Sequence, residues 1–62
     1  MEYKVIVEKI DSIVSRDVAQ AAADLSAKVN GELARGWEPL GSVAIGSAGT
    51  APYLLQAMLK RR

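Results

Sequence analysis

The chain has 62 residues, 50% of them apolar, and its eight basic and seven acidic side chains give a formal net charge of +1. It contains no cysteine and no histidine, which excludes disulfide bonds and the ordinary structural zinc sites. A chain this short buries only about 60% of its unfolded surface, so association is the remaining common means of stabilisation. We therefore expect residues 1–62 to form a single domain that assembles into a homodimer or a higher oligomer.

Charge and hydropathy narrow the class of protein further. The near-neutral charge argues against a nucleic-acid partner, and the one basic cluster is the tail Lys60, Arg61 and Arg62. The apolar runs are far shorter than the ~20 residues of a membrane span. The N-terminus lacks the long apolar stretch and the cleavage site of a signal peptide. These features predict a cytoplasmic protein that has no membrane partner.

The first element in chain order is a strand over residues 3–8, where side chains alternate between two faces. One face is fully apolar and the other is half apolar, and the two sets are Tyr3, Val5 and Val7 against Lys4, Ile6 and Glu8. Such a pattern is typical of a strand whose second face meets a partner chain or a loop.

A connector leads into a helix over residues 16–35. Apolar residues recur there at three- and four-residue steps, namely Val18, Ala21, Ala22, Leu25, Val29 and Leu33. Ser15 is the expected N-cap. Lys28 and Glu32 are expected to pair with each other on the outer face. The Asn30-Gly31 step could form a turn, but the apolar stripe continues beyond it, so we expect an unbroken helix.

Residues 35–39 carry the signals of a helix end. Gly36 is the expected C′ residue, and the positive charge of Arg35 suits the last turn. Trp37 is placed to fold back on the helix end, and Pro39 prevents further helix. We interpret this segment as a helix stop in preference to a recognition surface.

Two further strands are predicted over residues 40–45 and 53–60. The glycine, serine, alanine and threonine composition of residues 46–52 predicts a hairpin loop between them. The order β-α-β-β indicates an α+β fold, in which one helix packs on one face of a three-stranded, mainly antiparallel sheet.

The other face of that sheet has nothing in the chain to cover it, and we expect it to form a subunit interface. Ile6, Leu54 and Met58 are expected to lie on this uncovered face. Gln56 is expected in the middle of the last strand on the same face, where it would pack and hydrogen-bond across the interface or, alternatively, hold a ligand amide.

The loop over residues 46–51 is the segment with ligand-binding character. Backbone N–H groups of a glycine-rich turn can form an anion-binding nest, to which hydroxyl groups add donors. The pattern is neither a Walker loop nor a dinucleotide fingerprint. The candidate ligand-binding residues are Arg35, Ser47, Gly49, Thr50 and Tyr53. A plain flexible hairpin loop is the alternative interpretation.

No catalytic residue, metal site or cofactor is predicted. Glu8 and Glu38 lie near strand ends with Lys4 and Arg35, and paired carboxylates can serve acid–base chemistry. Without histidine or cysteine, a surface role for these charges is the simpler interpretation.

Sequence motifs near both ends of the chain, with the helix between them, resemble a family of small bacterial and phage proteins. The residues that carry the likeness are Tyr3, Lys4, Val5, Gly36, Trp37, Glu38, Pro39, Leu40, Gly41, Tyr53, Gln56, Ala57 and Met58. The family is known as domain of unknown function 1737, and the resemblance covers nearly the whole chain. It implies a compact α+β unit and brings no established activity.

These observations predict a small homo-oligomeric binding or interaction module without catalysis. Two alternatives stay open. One is a phage-type inhibitor or sponge that binds a small anionic metabolite or a host protein. The other is a weak nucleic-acid-binding protein that uses the basic C-terminal tail.

Overall fold

The computed structural model describes residues 1–61 and contains one helix and four strands. In chain order the elements are β1 (Glu2–Lys9), α1 (Ser15–Leu33), β2 (Trp37–Pro39), β3 (Ala44–Ala48) and β4 (Ala51–Lys60). Every strand pairing is antiparallel. The predicted α+β class is confirmed, with four strands in place of three. No helix within residues 1–61 has both the length and the apolarity needed to cross a membrane.

The long strand β4 lies at the centre of the sheet. β1 pairs with it along one edge, from Glu2 opposite Lys60 to Lys9 opposite Tyr53. The other edge is shared by β3, near the start of β4, and β2, near its end. The sheet is therefore at most three strands wide, although it contains four strands, and only β1 pairs with β4 at Gln56 and Ala57.

The break between β2 and β3 shows that the predicted strand over residues 40–45 is wrong in its boundaries. β2 ends opposite Met58 and β3 begins opposite Leu55, so residues 40–43 face only two residues of β4. Two extra residues on one strand form a bulge that interrupts the ladder. Gly41 allows this bend because its φ of +77° lies in the left-handed region.

The predicted loop over residues 46–52 is a two-residue turn. β3 continues to Ala48 and β4 begins at Ala51, so Gly49 and Thr50 alone connect them. Gly49 has a φ of +63° at the first central position, the glycine position of a type II′ hairpin turn. Small residues have weak strand propensity, but pairing with β4 holds residues 46–48 extended.

The helix α1 passes through the Asn30-Gly31 step without a break, as expected. Its start differs from the prediction, because Val14 is the N-cap and Ser15 is the first helical residue. Val14 has no polar side-chain atom with which to cap the helix. The Ser12 hydroxyl, 2.5 Å from the Asp17 carboxylate, instead ties the connector to the first turn.

The end of α1 is shifted by two residues from its expected position. The C-cap is Ala34, so Gly36, with a φ of +90°, lies two residues beyond the cap. Arg35 is therefore outside the last helical turn. Trp37 opens β2 and is half-buried, with Lys60 opposite it in the ladder.

The helix covers the face of the sheet that was expected to be uncovered. Met58 is 0% exposed and Gln56 is 4% exposed, both buried within the chain itself. Residues directly opposite in an antiparallel ladder share a face. Since Met58 pairs with Lys4 and Gln56 with Ile6, the helix side of the sheet is fixed. The prediction that Gln56 and Met58 lie on an uncovered face is wrong, and Ile6 and Leu54 are half-buried on the same helix side.

Two ion pairs join the mixed face of β1 to α1. Lys4 Nζ is 3.0 Å from Glu32 Oε1, and Lys28 Nζ is 2.7 Å from Glu8 Oε1. Long charged side chains can cover apolar surface while their charged groups stay near water. Lys28 and Glu32 therefore pair with residues of β1, whereas the sequence predicted that they pair with each other along the helix.

The buried apolar core of residues 1–61 is small. It consists of Ile10, Ala21, Leu25 and Met58. Ile10 follows β1, and its N–H donates to the Pro52 carbonyl at 3.0 Å. Much of the apolar half of the chain is consequently left at the surface.

Candidate functional site

The uncovered side of the sheet is apolar across its three-strand width, and we call it the open face. Its side chains from β1 and β4 are Tyr3, Val5, Val7, Tyr53, Leu55, Ala57 and Leu59, of which all but Ala57 are large. The three β1 members are 57%, 45% and 46% exposed, respectively. Contiguous apolar patches of more than a few hundred Å² are uncommon on monomers and mark interaction sites.

The third strand of the open face carries only small residues. Ala44, Gly46 and Ala48 of β3 pair with Leu55, Tyr53 and Ala51 of β4, respectively, and share their face. A Cβ atom on Gly46 would lie 3.2 Å from Leu55 Cδ1, so the glycine leaves room for this leucine. The open face therefore has a row of large side chains along β1 and a row of small ones along β3.

Charged groups lie only at the ends of the open face. Lys9 is at one end, opposite Tyr53. Glu38 is at the other end, opposite Leu59, and its Oε1 lies 3.1 Å from Arg61 Nε. An apolar centre with a polar rim is the usual arrangement of a protein–protein interface.

A second feature is a cleft of about 590 Å³ on the helix side of the sheet. None of the Cα atoms described for α1 lies within 8 Å of a described Cα atom of β3. One helix cannot cover the whole sheet, so a groove remains between α1 and the segment that leads into β3. Its lining is Val18, Ala22, Leu25, Ser26, Val29, Asn30, Pro39, Gly41, Ser42, Val43, Leu54 and Gln56.

The predicted ligand-binding residues are not brought together by the fold. Gly49 and Thr50 form the tight turn at the start of β4, and Ser47 lies in β3 beside it. Arg35 precedes Gly36, and a Cβ atom on Gly36 would lie 3.8 Å from Cε of Lys60, at the other end of β4. Ten strand residues separate the two ends by about 33 Å. These residues therefore do not form one composite site, and anion binding at the turn itself stays a prediction.

The other two members of that set have different surroundings from those expected. The guanidinium of Arg35 lies 3.4 Å from Glu32 Oε2. Tyr53 lies on the open face, opposite Lys9. Tyr53 is thus a component of an apolar surface, and Arg35 is part of a small charge cluster at the helix end.

Glu8 and Glu38, the carboxylates considered for acid–base chemistry, do not lie together. Glu8 lies on the helix side of the sheet beside Lys28, whereas Glu38 lies on the open face beside Arg61. No group of three acidic side chains within residues 1–61 is arranged to hold a metal ion. The carboxylates of this pair act in separate ion pairs on opposite faces.

The basic tail contacts the chain itself. Lys60 Nζ lies 5.9 Å from the centre of the Trp37 ring, and Arg61 pairs with Glu38. Arg62 lies outside the described residues. Both described tail cations thus have intramolecular partners.

Lys4, Glu32 and Trp37 form a charge cluster at the end of α1. Lys4 Nζ lies 4.2 Å from the Trp37 ring centre, within the range of a cation–π contact. The hydrogen bond from Lys4 is the main cause that lowers the pKa of Glu32 below its ordinary value. Desolvation opposes it, and the charges of Lys4 and Arg35 and a hydrogen bond from Arg35 add smaller lowering effects. The cluster fastens the helix end to β1 and β2.

Sequence reasoning identified an uncovered face but placed the wrong residues on it. The available signal was the charge order on α1, because Lys28 and Glu32 match Glu8 and Lys4 across the contact in opposite sign. The cleft had no comparable signal, since it depends on how far the helix extends over the sheet.

Comparisons with protein-family models, with curated proteins and with solved structures find no match to this chain. The resemblance to domain of unknown function 1737 stays a prediction carried by the quoted residues.

Proposed function

We propose that the protein is a homodimeric interaction module whose two copies associate through the open face. The observation that carries the proposal is the continuous apolar surface over three strands, with Tyr3, Val5 and Val7 about half exposed. Burial of such side chains contributes roughly 1 kcal/mol each when half of their surface is removed from water. A chain with so small a core gains stability when a partner covers this face.

The partner we propose is a second copy, because the open face is complementary to itself. A two-fold interface requires one patch to fit against the same patch after rotation. A rotation of 180° about an axis parallel to β4 places the large β1 row of one copy over the small β3 row of the other. Val7 would then face Ala44 of the second copy, since both lie level with Leu55.

The test is the mass of the particle in solution, measured by sedimentation velocity at micromolar concentration. We expect the unaltered chain to sediment as two chains and Val5→Lys as one, because a charge at the centre of the open face would be buried without a partner. Val43→Lys is the matched control, since Val43 is 50% exposed but lies on the helix side.

Two results would contradict the proposal. One is sedimentation of the unaltered chain as a single copy, and the other is equal disruption by Val5→Lys and Val43→Lys. Far-ultraviolet circular dichroism of each variant separates loss of association from loss of folding. A melting temperature that rises with protein concentration would support a folded dimer.

A further inference from the structure

The cleft between α1 and β3 has the size and lining of a small-molecule site. Its volume of about 590 Å³ lies within the 300–1,000 Å³ typical of ligand pockets. Both walls are mainly apolar, with Val18 and Val29 on the helix and Val43 opposite. None of the described lining residues carries a charge, so an ionic ligand would lose its hydration there without compensation.

A buried amide lies at the floor of this cleft. Gln56 is 4% exposed, and its Nε2 donates to the Gly41 carbonyl at 3.3 Å and to the Ala57 carbonyl at 2.9 Å. Two carbonyl acceptors fix the orientation of the amide, because Oε1 cannot take the place of Nε2. The Oε1 atom therefore faces away from these carbonyls.

The Gln56 Oε1 atom is an unused acceptor. Within residues 1–61 it receives no hydrogen bond. It also remains accessible to solvent. A buried amide with one free end is expected to find a partner in water or in a ligand. The cleft is the surface that Gln56 lines.

We propose that this cleft binds a small, uncharged, largely apolar molecule that donates one hydrogen bond to Gln56 Oε1. The apolar walls supply affinity, and the single acceptor selects a ligand with an N–H or O–H donor. The site is on the side of the sheet opposite to the open face, so binding does not depend on dimer formation.

The test uses indole and benzofuran, which have nearly the same shape and differ in that only indole has an N–H donor. Each is titrated into the full chain and followed by amide chemical shifts in ¹H–¹⁵N spectra. We expect saturable binding of indole in about the millimolar range, as its size allows. Benzofuran should bind about three- to tenfold more weakly, which corresponds to one hydrogen bond.

Two substitutions separate the cleft from other surfaces. Ala22 lines the cleft and is exposed, so Ala22→Phe should fill the cleft and abolish indole binding while the helix stays intact. Ala23→Phe is the matched control, because Ala23 is exposed on the same helix outside the lining, and it should leave binding unchanged. Gln56→Met should remove the preference for indole over benzofuran.

The proposal is overturned if indole causes no saturable shifts, if Ala22→Phe binds it as well as the unaltered chain does, or if the two probes bind equally. It is also overturned if the shifts lie at Tyr3 and Leu55, since indole would then occupy the open face. A change in sedimentation with Ala22→Phe would likewise contradict it, because the cleft would then hold a second copy of the chain.

Discussion

Lys4 Nζ on β1 lies 3.0 Å from Glu32 Oε1 near the end of α1. This contact joins the first strand to the helix across the chain's main packing layer, beside the ring of Trp37. Its position, with that of the Lys28–Glu8 pair, shows that Lys4 and Glu8 of β1 belong to the helix contact and not to the solvent side of the sheet. The open face is apolar because these charges point the other way.

The Lys4–Glu32 contact predicts a pH-dependent part of the folding stability. The hydrogen bond from Lys4 lowers the pKa of Glu32 in the folded chain below its ordinary 4.5. A lowered carboxyl pKa adds stability above the unfolded-state pKa, and this is lost as the pH falls through the folded-state pKa. Glu32→Gln should therefore be less stable than the unaltered chain at pH 7, with the difference shrinking below about pH 4.5.

Urea denaturation at pH 7 and at pH 3 measures this difference. Lys4→Met provides the second arm of a double-mutant cycle, because it removes the partner and keeps the side-chain length. The combined variant should lose less than the sum of the two single variants. A constant difference across this pH range would show that the contact contributes through packing alone.

Met58 predicts a large loss of stability on truncation, since it is 0% exposed near the end of β4, between Lys4 of β1 and Pro39 of β2. Met58→Ala should lower the free energy of unfolding by about 2–5 kcal/mol through lost burial and an internal cavity. Met1→Ala makes the same chemical change at a residue that is 77% exposed. Chemical denaturation of both variants checks the contrast, and similar losses would mean that Met58 does not lie in the core.

Local periodicity predicted β1, α1 and the last strand, because each has a regular alternation or a helical stripe. The choice of the covered face could not be made in this way. Ile6 lies on the same face of β1 as Lys4 and Glu8, so that face is neither wholly apolar nor wholly polar. The charges of Lys4 and Glu8 indicated a solvent-exposed face, but both side chains form ion pairs with α1. Tertiary pairing, which local propensity does not record, decided the face.

The bulge and the cleft depend on longer-range geometry. Residues 40–43 leave the ladder because Gly41 takes a left-handed conformation. The small residues of β3 predicted a loop, but they form a strand because they hydrogen-bond to an edge of β4. The cleft exists because one helix is too narrow for the sheet, which no local pattern of residues shows.

Substitution by alanine is predicted to change the free energy of unfolding in opposite directions at Gly31 and Gly49, although both have open space around them. A Cβ atom at Gly31 or at Gly49 would meet no atom within 4 Å. Gly31→Ala in α1 should raise the free energy of unfolding by up to about 1 kcal/mol, because alanine is the better helix former. Gly49→Ala should lower it by about 1–2 kcal/mol, since φ is +63° there.

Thermal unfolding of the two variants tests this pair. Because neither substitution creates a steric clash, the sign of each change reports backbone conformation alone. Stabilisation by Gly49→Ala would show that the turn between β3 and β4 does not need a left-handed residue.

From the hydrogen bonds of Gln56 we predict that its side-chain amide stabilises the bulge at residues 40–43. Its Nε2 donates to the Gly41 carbonyl, whereas the Ala57 carbonyl has a second donor in the Leu40 N–H at 2.9 Å. Gln56→Met preserves length but leaves the Gly41 carbonyl without this donor. The free energy of unfolding should fall by about 1–3 kcal/mol, the cost of an unsatisfied polar group in a part-buried position.

Amide hydrogen exchange gives this prediction a local readout. Faster exchange should be confined to residues 40–44 in Gln56→Met, because the amide ties only this segment to the centre of β4. Gln20→Met is the control, since Gln20 is exposed and its side chain hydrogen-bonds to Asp24 on the same helix. Uniform acceleration across β1 and β4 would instead indicate that Gln56 supports the whole sheet, and unchanged exchange would remove it from the bulge altogether.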